Sequence, residues 1–177
     1  MCFLKLQNIL FLYALKFEFL RFVLKKDIVY LLVQFFFFAL FFIAWEDNFG
    51  IELPQWLAHI CLVFVGLGIF VIVLGILNLS DSLSPISSKE KHAALISYGI
   101  YKYVRHPIYL GILIAMIAFA IYSVSVIKLV IAFALIVVLY LKSSYEEKLL
   151  IKDFSDYKDY KDSTGRFFPK KNDRNQQ

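Results

Sequence analysis

Arg105 and His106 stand immediately before Pro107 inside the stretch GIYKYVRHPIYLG (99–111), and further along the chain Glu146 and Glu147 stand side by side. A proline that opens an apolar run marks the first turn of a helix, where backbone N–H groups lack partners and carry positive partial charge. With an arginine and an imidazole beside it, such an entrance suits an anionic group. A carboxylate pair suits the opposite: an ammonium, a set of hydroxyls, or a proton in transit. Brought together, the two groups could hold a zwitterion. Plainer readings compete with each. Tyr98, Tyr101, Tyr103, Arg105 and Tyr109 are also what a water–lipid boundary collects, as aromatic belt and snorkelling cation. Lys142 and Glu146 are four residues apart and can pair on their own helix, worth about 0.2–0.5 kcal/mol. Residue types and spacing leave both readings open.

The elements that must position these groups are membrane helices. Apolar residues make up 60% of the chain and aromatic ones 18%, with a mean hydropathy of +0.70, far from the usage of soluble domains. The expected fold is all-α, an integral membrane helical bundle forming one domain over 1–177, with transmembrane helices at 28–45, 56–78, 107–123 and 126–142. An amphipathic helix over 2–24 precedes these four, because Cys2, Leu6, Ile9, Leu10, Tyr13, Phe17, Leu20 and Leu24 fall on one stripe at helical spacing while Lys5, Lys16, Glu18 and Arg21 break the apolar run; a first span packed against the others is the competing reading. A cytoplasmic helix and tail over 143–177 follow, with Gly165 ending the helix and the residues after Pro169 disordered. Leu79 to Val104 reads as a polar connecting loop. The break at Ser123, Ser125 and Lys128 makes two crossings joined by a tight turn, with one re-entrant hairpin as the runner-up. Gly66 and Gly68 read as a helix-packing surface of small residues. Cys2 and Cys61 are far apart, and His59, His92 and His106 lack ligand spacing, so neither a disulfide framework nor a metal is expected.

Basic residues set the expected orientation. Lys and Arg number 5 in residues 1–27, 4 in 79–107 and 9 in 142–177, with Lys128 the remaining one. Four spans put all three rich segments on one side, so the positive-inside tendency makes both termini and the 99–111 stretch cytoplasmic and the acidic Glu46–Glu52 loop external. The hairpin of the third and fourth spans then brings Glu146 and Glu147 to the same face as Arg105 and His106.

From about Leu77 to Pro169 the chain resembles the isoprenylcysteine carboxyl methyltransferase and phospholipid methyltransferase superfamily. Three parts carry the resemblance in the family's order: LISYGIYKYVRHPIYLG (95–111), EEKLL (146–150), and Phe154, Tyr157 and Tyr160 ahead of GRFFP. The resemblance implies S-adenosylmethionine as cofactor, in a pocket made by Leu95, Ile96, Tyr101, His106, Pro107, Tyr109 and Glu146. It implies a lipid-like or prenylated small-molecule acceptor met in the membrane: an isoprenylcysteine carboxylate or related group, with a phosphatidylethanolamine-type amine as the alternative. Arg105, His106 and Glu147 are the expected catalytic residues, His106 or Glu147 serving as the base that an amine acceptor needs. Lys142 stands where isoprenylcysteine enzymes carry an arginine for the substrate carboxylate; a lysine keeps the charge and loses the bidentate fork. Gly66 and Gly68 match a GxG used in an earlier span by phospholipid N-methyltransferases. The implied reaction is direct methyl transfer, without a metal or a covalent enzyme intermediate.

Two other classes compete. Sterol reductases share part of the motif but read RHPNYxGE, and Ile108 and Ile112 stand here where their Asn and Glu would be. A non-catalytic scaffold whose basic face binds anionic lipid is the other. No nucleic-acid partner is expected.

Overall fold

The structure is a computed structural model that describes residues 26–43, 52–83 and 95–170. The expected amphipathic helix over 2–24, most of the acidic loop, His92 and the tail after 170 lie outside the described residues. Those described fall into two compact units, one ending at Phe42 and the other beginning at Ile43. In the first, α1 (26–42) is an apolar helix on which Phe35 and Phe38 meet edge to face with ring centroids 6.3 Å apart.

The second unit holds α2 (Gln55–Leu83), a 3-10 turn (Gly99–Lys102), α3 (Pro107–Tyr122), α4 (Val126–Asp153) and α5 (Tyr157–Ser163). It is all-helical, with no strand among the described residues and one isolated β-bridge between Val104 and Gly165. By length and composition two helices can cross a membrane, Gln55–Leu79 and Val126–Asp153, while α3 is a shorter apolar helix of 16 residues. Their outward faces are apolar: Val63 on α2 is 61% exposed and Val130 on α4 likewise 61%, surface that lipid covers more cheaply than water.

Local chemistry explains each helix boundary. Pro107 occupies the first turn of α3 as expected, with its fixed φ suited to the entry and no N–H to leave unpaired. At the other end the Ser123 hydroxyl donates to the Phe119 carbonyl at 2.9 Å, Val124 takes a positive φ of 50°, and Ser125 caps α4 by accepting from the Lys128 N–H at 3.1 Å. The small-residue break is thus a tight turn between two separate helices. Along α4 the buried residues Ile131, Leu135, Leu139, Ser143 and Glu147 recur every fourth position, one stripe that passes from aliphatic to hydroxyl to carboxylate as it nears the site.

Against α2, α3 packs backbone to backbone. A Cβ on Gly68 would lie 2.6 Å from the Gly111 carbonyl oxygen, and one on Gly111 would lie 2.5 Å from that of Gly68. Only glycine at both positions allows this approach.

Two boundaries differ from the sequence expectation. Helix α2 continues through Leu83 into the segment read as a loop, because no glycine or proline stands between Asn78 and Leu83 in the sequence. The C-terminal helix is two helices, since Phe154 takes an extended conformation after α4 and α5 begins at Tyr157. Gly165 caps neither. It pairs across the bridge with Val104, and a Cβ there would run into the Phe168 carbonyl as the chain turns back.

Candidate active site

The N-terminal end of α3 is built from four stretches of chain. Gly99 has a φ of +59°, the left-handed region that favours glycine, and the Asn78 side-chain amide fills the place a Cβ would take. The Tyr98 hydroxyl donates to the Asn78 carbonyl at 3.2 Å and the Tyr101 hydroxyl to the Gly75 carbonyl at 3.4 Å, which fastens the 3-10 turn to α2. From the other side comes the tail. The Arg105 and His106 N–H groups donate to the Gly165 and Arg166 carbonyls at 2.9 and 3.1 Å, and the Tyr160 hydroxyl donates to the Tyr101 carbonyl at 2.7 Å. The helix entrance expected as an anion seat therefore has these two N–H groups committed to the returning chain.

The two adjacent carboxylates are separated by surroundings. Successive helical residues point about 100° apart, so Glu146 and Glu147 face different neighbours. Glu146 accepts a hydrogen bond from the Tyr109 hydroxyl at 2.6 Å and stays partly exposed. Glu147, with its side chain 1% exposed, gathers cations from three stretches of chain. Arg105 Nε donates to its Oε1 at 3.0 Å, Arg166 holds both oxygens through Nε at 3.1 Å and Nη2 at 2.9 Å, and Lys161 Nζ lies 3.2 Å from Oε2. Arg105 Nη1 also donates to the carbonyls of Lys161, at 2.9 Å, and Thr164. A buried carboxylate is tolerable only with such pairing.

His106 lies between the two. Its Nδ1 is 3.6 Å from Glu146 Oε2 and its Nε2 3.6 Å from Glu147 Oε1, and its ring stacks on Tyr109 at 5.4 Å with the planes 3° apart. Nε2 is buried and makes no hydrogen bond.

A cavity of about 350 Å³ opens beside this arrangement. Its lining includes all seven residues expected of the cofactor pocket: Leu95, Ile96, Tyr101, His106, Pro107, Tyr109 and Glu146. Arg105 also lines it, with Leu150, Phe154, Tyr157 and Tyr160 closing the tail side. Burial, reinforced by the nearby Glu146 carboxylate, pushes the Tyr101 hydroxyl up from the ordinary phenol range. Burial, followed by the Glu147 carboxylate, pushes Tyr157 up to about 12. Both phenols stay protonated at neutral pH, and that of Tyr101 is the donor to the Gly75 carbonyl.

Other expected site residues lie elsewhere. Glu147 is not part of the lining, and its oxygens face the cation cluster. Lys142 places its ammonium 5.2 Å from the Tyr109 ring centroid, outside the lining, in a cation–π contact. Gly68 belongs to the α2–α3 seam and Gly66 meets nothing within 4 Å, so neither touches the cavity. Sequence reading gave Lys161, Thr164 and Arg166 no role. Their signal is the carboxylate pair itself: consecutive residues on a helix point about 100° apart, and the buried carboxylate needs cations, of which GRFFP supplies Arg166.

No curated protein matches the chain closely enough to count as a relative. A family model described as phospholipid methyltransferase matches residues 57–157, which takes in all but the first two residues of α2, the 3-10 turn, α3, α4 and the first residue of α5. That match covers more than half of the sequence and contains every residue lining the cavity except Tyr160, so the chain belongs to the phospholipid methyltransferase family.

Proposed function

We propose that the chain transfers a methyl group from S-adenosylmethionine to a lipid-like acceptor embedded in the membrane, with the cavity at the start of α3 as the cofactor pocket. The observation that carries this reading is the convergence of Tyr101, His106, Tyr109 and Glu146 on one cavity of about 350 Å³, within the range of small-molecule sites. The lining has the chemistry this cofactor asks for: Glu146 for its ammonium, and Tyr101, Phe154 and Tyr157 as flat walls for its base. When bound, S-adenosylmethionine supplies an electrophilic methyl on a sulfonium, whose sulfur keeps the electron pair as the methyl leaves.

The residues' work in this reaction is positioning. Holding the acceptor atom in line with the methyl contributes up to about 7–11 kcal/mol in favourable cases. An isoprenylcysteine-type carboxylate arrives ionised and needs no base. A phospholipid amine must first give up a proton, and His106, lining the cavity with Nδ1 3.6 Å from Glu146, is the group to receive it. The family match supports a membrane lipid-like acceptor of either kind. Glu147, enclosed by Arg105, Arg166 and Lys161, fits a supporting role better than that of a base.

We read four membrane crossings, by α1, α2, α3 and the apolar part of α4, with both termini and the cavity on the cytoplasmic side. The distribution of Lys and Arg supports this reading.

The test is binding followed by transfer. Purified protein in lipid nanodiscs should bind S-adenosylmethionine in calorimetry, and His106→Ala should weaken it; no binding by wild type overturns the reading. Membranes given labelled methyl donor with farnesylcysteine analogues and phosphatidylethanolamine in parallel then identify the acceptor class.

A further inference from the structure

Arg166 lies beyond the segment that matches the family and outside the cavity lining, yet it holds the His106 side of the site in two ways. Its backbone carbonyl accepts the His106 N–H at 3.1 Å. Its guanidinium, 4.7 Å from the Tyr140 ring centroid, holds both oxygens of Glu147 and donates through Nη1 to Ser144 Oγ at 2.6 Å. A planar fork on a carboxylate fixes direction as well as charge. Glu147 Oε1, which also accepts from Arg105, stands 3.6 Å from the buried, unbonded Nε2 of His106. The imidazole thus sits between a carboxylate that the tail saturates and one, Glu146, that lines the cavity.

We propose that Arg166 is a positioning residue for the methyl-transfer site: by saturating Glu147 it keeps the His106 ring turned toward Glu146 and the cavity. Without the guanidinium, Glu147 Oε2 keeps only Lys161, whose side chain is 38% exposed, and the carboxylate becomes a competing partner for the imidazole. The role in catalysis rests on the reading of the cavity as the cofactor pocket; the effect on the ring does not.

The test uses the full chain in nanodiscs and reads the His106 ring-proton resonances, identified by their loss in His106→Ala, with His59 as internal control. His59 is held within α2, its Nδ1 2.6 Å from the Gln55 carbonyl. Arg166→Met should move and broaden the His106 resonances, leave those of His59 in place, and weaken S-adenosylmethionine binding about tenfold or more. Arg166→Lys, which keeps the charge but cannot span both oxygens, should shift the same resonances less and weaken binding less. A purely structural role would lower the unfolding midpoint and leave the resonances and affinity of the folded protein at wild-type values; that result overturns the proposal. If Arg166→Met does not fold, Arg166→Lys decides by the same two readouts. If wild type binds no cofactor, the methyltransferase reading falls, and the resonances in Arg166→Lys still decide: moved supports the positioning role, unmoved overturns it.

Discussion

The α2–α3 seam and the clasp around Glu147 both support the cavity, and they are held by opposite means. At the seam Gly68 and Gly111 bring two backbones together with no side chain between them, so its stability is a matter of volume. At the clasp, one carboxylate draws Arg105, Lys161 and Arg166 together from the α3 entrance, α5 and the returning tail, so its stability is a matter of charge. The wall next to the membrane helices is set by shape, and the wall formed by the tail is set by electrostatics. A change of charge should therefore cripple one and spare the other, and a change of size should do the reverse.

The largest effect expected is at the clasp. Glu147→Ala leaves Arg105, Lys161 and Arg166 without the carboxylate that gathers them, and removing one partner of a buried ion cluster costs about 3–5 kcal/mol. Unfolding of the purified protein should show a loss of this size, with the tail past Phe154 becoming susceptible to protease while α2 and α3 stay protected. A loss below about 1 kcal/mol would mean that the cluster behaves like a surface pair and the contrast with the seam fails.

Glu146→Gln sharpens the same comparison from the neighbouring position. This side chain lines the cavity and accepts from Tyr109, and the amide keeps the shape and an acceptor oxygen. Stability should change little. Binding of S-adenosylmethionine should weaken by about 1.5–3 kcal/mol, the worth of a hydrogen bond to a charged group, as read by calorimetry. Equal losses of stability at 146 and 147 would show that the two carboxylates are not divided as their surroundings indicate.

How much of this was legible in the sequence follows from the same division. Pro107 announced the α3 entrance, and Ser123 and Ser125 announced the turn before α4, because these residues act through their own backbone and near neighbours. The seven residues that the resemblance implies for the cofactor pocket line one cavity, and the helix entrance marked by Pro107 already singles out Tyr101, His106 and Tyr109 among them. The clasp was illegible because its pairs are long-range: Arg105 meets Glu147 across 42 positions of sequence, and which of two adjacent glutamates turns inward depends on what α4 packs against. Gly165 was misread for a related reason. A glycine after a helix resembles a cap until the partner that forbids a Cβ, here the Phe168 carbonyl, is known.

At the seam the prediction concerns size. Gly111→Ala would put a methyl 2.5 Å from the Gly68 carbonyl oxygen and 3.0 Å from the Ile72 nitrogen, and backbone cannot swing aside as a side-chain end can. Overpacking of this kind costs about 1–3 kcal/mol. Cofactor binding should weaken with it, because Gly75, one wall of this seam, also accepts the Tyr101 hydroxyl. Gly68→Ala should behave alike, since its Cβ would meet the Gly111 carbonyl and Ala115. A neutral result at both would show that the helices can separate without consequence.

The smallest effect distinguishes two glycines only two positions apart. Gly66 is exposed, and a Cβ there meets nothing within 4 Å, whereas Gly68 is buried in the seam. In the interior of a helix, alanine is favoured over glycine by about 0.8–1.0 kcal/mol because the unfolded chain loses less freedom on ordering. Gly66→Ala should therefore leave stability unchanged or raise it by up to about 1 kcal/mol, with cofactor affinity and transfer rate at wild-type values. This result would assign the role of the pair to Gly68 alone, as a packing residue. The opposite result, full stability with lost cofactor binding in Gly66→Ala, would make the pair a ligand-contacting motif, and the seam would no longer be a wall set by shape alone.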